Sequence, residues 1–173
     1  MVMMNAATWL TLKRHPYYLG AGHVAADLAV GTLYYANNSF GPSSFARIWM
    51  DSIPIGGTEF MLGFGSTYPG ENTWNGTLHA GTGRIDGVYD YEMWVFGDTS
   101  PPRTTCPGDS GGAHGAWHGN FMLYAVNSSG GCGEVQSYFS IGTRMRYNTW
   151  FVEQEIGTCT TYTTQGQYYK RCW

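Results

Sequence analysis

The chain has 173 residues, enough for one domain or two closely packed barrels with a substantial core, and too few for a long multidomain assembly. Only 12% of the residues are charged and the formal net charge is -3, which excludes the basic footprint of a nucleic-acid binder and a polyelectrolyte disordered tail. With 25 Gly, 13 Tyr, 7 Trp and 16% aromatics, the composition suits short strands joined by tight turns, so the expected class is all-β.

No run of about 18 apolar residues is present, so no membrane-spanning helix is expected and the chain reads as soluble. Residues 1–12 are followed, not preceded, by the basic pair Lys13 and Arg14 and carry no small-residue cleavage site, so they do not read as a signal peptide. In chain order, runs rich in β-branched and aromatic residues predict strands over 8–12, 17–19, 28–35, 45–50, 60–64, 77–80, 91–96, 121–126 and 138–141. Turn-forming clusters at 37–42 and 68–72 mark exposed loops between them. A helix is predicted over 143–156, with Met145, Trp150 and Val152 on one face and Gly157 as its stop. Residues 158–173 form a polar, Thr- and Tyr-rich tail, read as a small disulfide loop appended to the main domain. The four cysteines, Cys106, Cys132, Cys159 and Cys172, show no CxxC metal spacing, and two disulfides formed in an oxidising compartment are expected.

The most informative string is Cys106-Pro107-Gly108-Asp109-Ser110-Gly111-Gly112. A serine flanked by glycines on a tight turn exposes its hydroxyl, and the neighbouring backbone N–H groups can converge on one point, as an oxyanion hole requires. Far upstream, Gly20-Ala21-Gly22-His23-Val24-Ala25-Ala26 offers a histidine on a small-residue turn. Together His23 and Ser110 supply the base and the nucleophile of an acyl-transfer site.

These residues resemble the chymotrypsin-fold serine proteases, and among them the small bacterial secreted type similar to the streptogrisins and alpha-lytic protease. Tyr17 to His23 is similar to the strand leading into that family's catalytic histidine, with Gly31-Thr32 and Ser39-Phe40 following. Gly65-Ser66-Thr67 and Asn75-Gly76-Thr77-Leu78 resemble the opening of its second barrel, Gly108 to Gly112 its nucleophile motif, and Asn127 to Cys132 its substrate-binding strand. The resemblance implies two packed antiparallel six-stranded barrels with a C-terminal helix. A protease domain would then span 1–157, with barrel one over about 1–57, barrel two over about 58–142 and the helix over about 143–157, followed by the tail 158–173. It also implies His23 as general base, Ser110 as nucleophile, the N–H groups of Gly108 and Ser110 as oxyanion hole, and a Cys106–Cys132 disulfide beside the specificity pocket.

Three positions depart from the family. Val24 replaces the cysteine after the histidine, which leaves Cys159 to pair with Cys172, and Ala113 replaces the proline after the nucleophile motif. Ser44 aligns with the place of the triad acid, so Asp51 is the first substitute, ahead of Asp27 and Asp90. The carboxylate of Asp109, which pairs with a new N-terminal ammonium in zymogen-activated relatives, is expected to pair with Arg84 or Arg103 instead.

His114 and His118, four apart, raise the question of zinc, but no third ligand is evident and both read as loop histidines with no metal. Asn37, Asn75 and Asn127 begin glycosylation sequons; a glycan on Asn127 would block the cleft, which favours a bacterial or unglycosylated product. The expectation is a secreted, monomeric serine endopeptidase without cofactor, whose partner is a peptide or protein substrate and neither nucleic acid nor membrane. Thr104, Asn127, Ser128 and Ser129 are expected to bind the substrate, which adds as a strand and places a neutral or apolar side chain in the pocket. The alternative is a catalytically impaired homologue that serves as a secreted peptide- or carbohydrate-binding module.

Overall fold

The computed structural model describes residues 9–20, 23–34, 47–67, 76–97, 104–132 and 138–172. Strand β1 (Trp9–Arg14) pairs antiparallel with β2 (Ala29–Tyr34), with Trp9 opposite Tyr34 and Arg14 opposite Ala29. The connection between them holds a short 3-10 turn, Val24–Ala26. Then follow β3 (Arg47–Trp49), β4 (Thr58–Gly63), β5 (His79–Val88), β6 (Glu92–Gly97), β7 (Ala113–Trp117), β8 (Phe121–Gly130), β9 (Phe139–Arg144), the helix α1 (Met145–Ile156), β10 (Cys159–Thr164) and β11 (Gln167–Cys172).

Six of these strands close a barrel in the order β8-β7-β4-β5-β6-β9, with β9 returning to β8. Alternation builds it: in β4, Glu59, Met61 and Gly63 are buried while Thr58 is exposed, and in β6, Met93 and Val95 are fully buried between Glu92, Trp94 and Phe96. Closure leaves these strands no free edge. Strand β8 is long enough to divide its second edge, which pairs with β3 in parallel at Met122 and Leu123 and with β9 from Ala125 to Gly130. Beyond β3, β11 and β10 extend the sheet.

Two cores result. One lies within the barrel, around Met61, Ile85, Met93, Val95 and Met122, and reaches Trp49 and Tyr169. The other packs Leu28, Val30 and Ile48 against Met145, Phe151 and Val152 of α1. His15 joins the ribbon to the helix: it is buried, its ring stands edge-on to Phe151 at 4.8 Å, and that burial lowers its pKa from the ordinary value.

The all-β class with a C-terminal helix is the one the sequence implies, with local corrections. Residues 17–19 form a turn, not a strand. Residues 159–164 and 167–172 form a hairpin rather than an irregular loop: Gln165 and Gly166 both have positive φ, 52° and 76°, as a two-residue turn between right-twisted strands requires. Cys159 and Cys172 are directly opposed there and joined by a disulfide. The helix starts at Met145, because Thr143 and Arg144 complete β9, and it ends where Gly157 takes φ 112°. Its buried face carries Phe151 beside Met145 and Val152, whereas Trp150 is 39% exposed. The expected strand over 45–50 is described only from Arg47, and residues 35–46, Ser44 among them, lie outside the described residues. Because Phe151 is 1% exposed, Phe151→Ala is expected to cost roughly 3–5 kcal/mol in a denaturant titration, chiefly as lost burial and a residual cavity.

Candidate active site

The nucleophile loop is anchored before it turns. Cys106 is bonded to Cys132, and the Thr105 N–H donates to Ser140 Oγ at 3.1 Å. The loop then folds on itself, Asp109 N–H to the Cys106 carbonyl at 3.0 Å and Gly112 N–H to the Asp109 carbonyl at 2.8 Å. It is also clasped to β8, since Gly111 N–H donates to the Asn127 carbonyl and Asn127 N–H to the Gly112 carbonyl, both at 2.8 Å. Gly108 takes φ 96°, a conformation a residue with a Cβ rarely adopts. Ser110 is left exposed at the crest. Among the described residues, neither Gly108 N–H nor Ser110 N–H has a backbone acceptor, so both are available to a bound oxygen.

Among the described residues, Asp109 finds no arginine. Its Oδ1 accepts from Gly65 N–H at 2.7 Å and its Oδ2 from Cys106 N–H at 2.8 Å, so two main-chain dipoles satisfy the carboxylate. Arg84 pairs instead with Asp86 on the outward face of β5, and Arg103 lies outside the described residues. The approach needs glycine: a Cβ on Gly63 would stand 2.0 Å from Asp109 Oδ1, and one on Gly65 2.7 Å from the Asp109 nitrogen.

Beside Ser110 opens a cavity of about 490 Å³, walled by residues 105–107 and 127–132. Asn127, Ser128 and Ser129 line it as expected from the sequence. Thr104 does not: its hydroxyl donates to the Phe139 carbonyl at 2.9 Å, and Thr105 takes its place in the wall.

His23 begins the 3-10 turn, exposed and without a side-chain hydrogen bond among the described residues. The turn itself is fastened to the barrel. Thr143 Oγ1 donates to the Val24 carbonyl, and the Asn148 amide to the Ala25 carbonyl at 3.3 Å. The turn's last residue, Asp27, accepts from Ser128 Oγ at 2.6 Å. Of the acids weighed from sequence, Asp27 is thus the one bonded to the cavity wall. The Asp51 carboxylate instead accepts from the Ser52 N–H at 2.9 Å, and Asp90 is exposed.

Behind the wall lies a buried polar chain that the sequence reading missed. His114 is not a loop histidine: it is in β7 and fully buried, with Nδ1 2.6 Å from Oε1 of Glu59, itself fully buried, and Nε2 3.1 Å from Asn127 Oδ1. Burial alone would lower the imidazole pKa, but the charge of Glu59 and the hydrogen bonds to Glu59 and Asn127 outweigh it, so His114 holds its proton above the ordinary value of 6.5. Desolvation raises Glu59 despite the opposing pull of His114. His118 lies apart, stacked on Trp49 at 4.8 Å and 3.0 Å from the Tyr124 hydroxyl. A sequence signal did exist for Glu59, a carboxylate at an inward position of an alternating strand.

Two outcomes follow. Gly63→Ala should force the Asp109 carboxylate off its N–H donors and lower stability by roughly 1–3 kcal/mol, readable as a fall in thermal midpoint. Both raised pKa values mean that the folded chain holds more protons than the unfolded one. That stability is fully present below the unfolded values and is lost as pH rises through the folded ones. Thermal midpoints taken between about pH 5 and 9 should therefore decline, and Glu59→Gln should flatten the decline.

No family model and no curated protein matches the chain. Among solved structures it is similar to neuropsin, described as a serine protease expressed in the limbic system of mouse brain. The identity is 18% and the TM-score 0.66, over 84% of this chain and 70% of that one. At such identity the likeness is one of fold, and the fold is chymotrypsin-like.

Proposed function

We propose that the chain is a serine endopeptidase acting through an acyl-enzyme on Ser110. The observation that carries this reading is the exposed Ser110 at the mouth of the cavity, with the unpaired Gly108 and Ser110 N–H groups beside it. Ser110 Oγ would attack the scissile carbonyl while His23 accepts its proton. The carbonyl oxygen, now anionic, would be held by the two N–H groups, and His23 would return the proton to the departing amine. Water would then release the acyl group by the same steps. The substrate adds as a strand beside 127–130 and drops one side chain into the cavity.

For the orienting acid the reading takes Asp27. Its carboxylate closes the turn that His23 opens and is fixed by Ser128 on the cavity wall. Two disulfides support secretion and, with the nucleophile motif, the small bacterial type. The competing reading, a binding homologue without turnover, draws on the ring of His23, which has no side-chain hydrogen bond among the described residues.

A fluorophosphonate probe separates the two. Labelling is expected on Ser110 alone and should vanish in Ser110→Ala and His23→Ala. In Asp27→Asn it should slow by about four decades if Asp27 sets the imidazole tautomer, with the fold retained by circular dichroism. A folded, disulfide-intact chain that takes no adduct would favour the binding homologue.

A further inference from the structure

We propose that Asn127 makes the cavity selective for a substrate side chain ending in a carbonyl or carboxylate oxygen, that of glutamine or glutamate. The inference deepens the peptidase reading by naming what enters the cavity beside Ser110, and it rests on that reading for the placement of the peptide.

The orientation of the Asn127 side chain is set from behind the wall. Its Oδ1 accepts from His114 Nε2 at 3.1 Å and from Thr105 Oγ1 at 3.2 Å, which occupies both lone pairs. His114 donates from Nε2 when it and Glu59 together hold two protons: one then lies between Nδ1 and Oε1, 2.6 Å apart, and the other on Nε2, the form favoured by the raised pKa of both groups. Thr105 can spend its own proton on Asn127, because Ser140 Oγ, which accepts from Thr105 N–H, can donate in turn to Thr105 Oγ1 at 2.8 Å.

In that orientation the Asn127 amide nitrogen keeps two protons that neither His114 nor Thr105 takes. Among the described residues it has no acceptor, and it is not sealed from solvent, while Asn127 itself lines the cavity. Among the described residues, the lining includes no carboxylate that would recruit a cation and no large apolar side chain. A leucine there would cover the amide N–H groups without pairing them, and a lysine would bring its donors against theirs. An acceptor oxygen resolves both difficulties. Of the sequence reading of a neutral or apolar preference, the neutral part is kept as glutamine, the apolar part is dropped, and an anionic end, glutamate, is added.

The test measures binding, so that it does not depend on turnover. Four N-acetyl tetrapeptide acids, identical except for a final Gln, Glu, Leu or Lys, are titrated calorimetrically into the full chain carrying Ser110→Ala. At least one of the Gln and Glu peptides should bind about tenfold or more tighter than Leu and Lys, and the comparison of those two shows whether an amide or a carboxylate fits better. Asn127→Leu should erase the preference. Asn127→Asp still accepts from His114 and Thr105 and so preserves the packing; it should move the preference to Lys. Leu or Lys binding as tightly as Gln and Glu, a preference that survives Asn127→Asp, or no peptide binding at all would each overturn the inference. Hydrolysis of the matching amides by the unmodified chain is assayed separately: selective binding without any turnover would defeat the peptidase reading and leave the selectivity standing.

Discussion

The constraint on which the rest depends is the burial of Glu59 and His114 inside a closed barrel. Neither side chain has any exposure, and Glu59 Oε2 has no hydrogen-bond partner among the described residues. A carboxylate in such a place is tolerable only because an imidazole on the adjacent strand shares a proton with it. Removing either partner from a buried pair of this kind costs about 3–5 kcal/mol. A hydrophobic pair of similar volume would fill the space at no electrostatic cost, so stability alone does not account for these residues. What they do that a hydrophobic pair could not is hold a polar ring nitrogen 3.1 Å from Asn127 Oδ1.

Asn127 is also where the main chain of the barrel meets the nucleophile loop. Its carbonyl and N–H pair with Gly111 and Gly112, so the strand that walls the cavity and the turn that exposes Ser110 share two hydrogen bonds and cannot move independently. Asp109 completes the restraint from the other side, drawing Gly65 and Cys106 together through one carboxylate. Side-chain polarity in the cavity and backbone geometry at Ser110 are thus set by neighbouring atoms of the same two segments, the preorganisation that a site stabilising developing charge needs.

How much of this was legible follows the range of each interaction. Strands with clean alternation, β4 and β6, were visible because burial on one face writes itself into neighbouring residues. Strand β7, Ala-His-Gly-Ala-Trp, was not: small residues carry little strand preference, and its place is decided by pairing with β4 and β8. The Gln165-Gly166 turn was legible and passed over. Trp150 was placed on one face with Met145 and Val152, whereas the helix turns Phe151 inward against His15. Of the arginines sought for Asp109, Arg84 pairs with Asp86 and Arg103 lies outside the described residues, while main-chain N–H groups, which leave no mark in a sequence, satisfy the carboxylate. Glycines at 63 and 65 were the indirect sign, since only a residue without a Cβ admits the carboxylate so close.

Asp27 shows the same principle at the other half of the site. Its partner, Ser128, lies 101 residues away, so nothing local distinguishes this aspartate from any turn carboxylate. Placed in the fold, it closes a three-residue turn whose carbonyls are tied to Thr143 and Asn148. His23 at the start of such a turn and Asp27 at its end are positioned by one short segment, and a single long-range bond to Ser128 fixes Asp27 to the cavity wall. In the proposed peptidase that arrangement would remove the need for a second loop to bring in the acid, and Ser44, aligned with the usual position, would be free to be a serine.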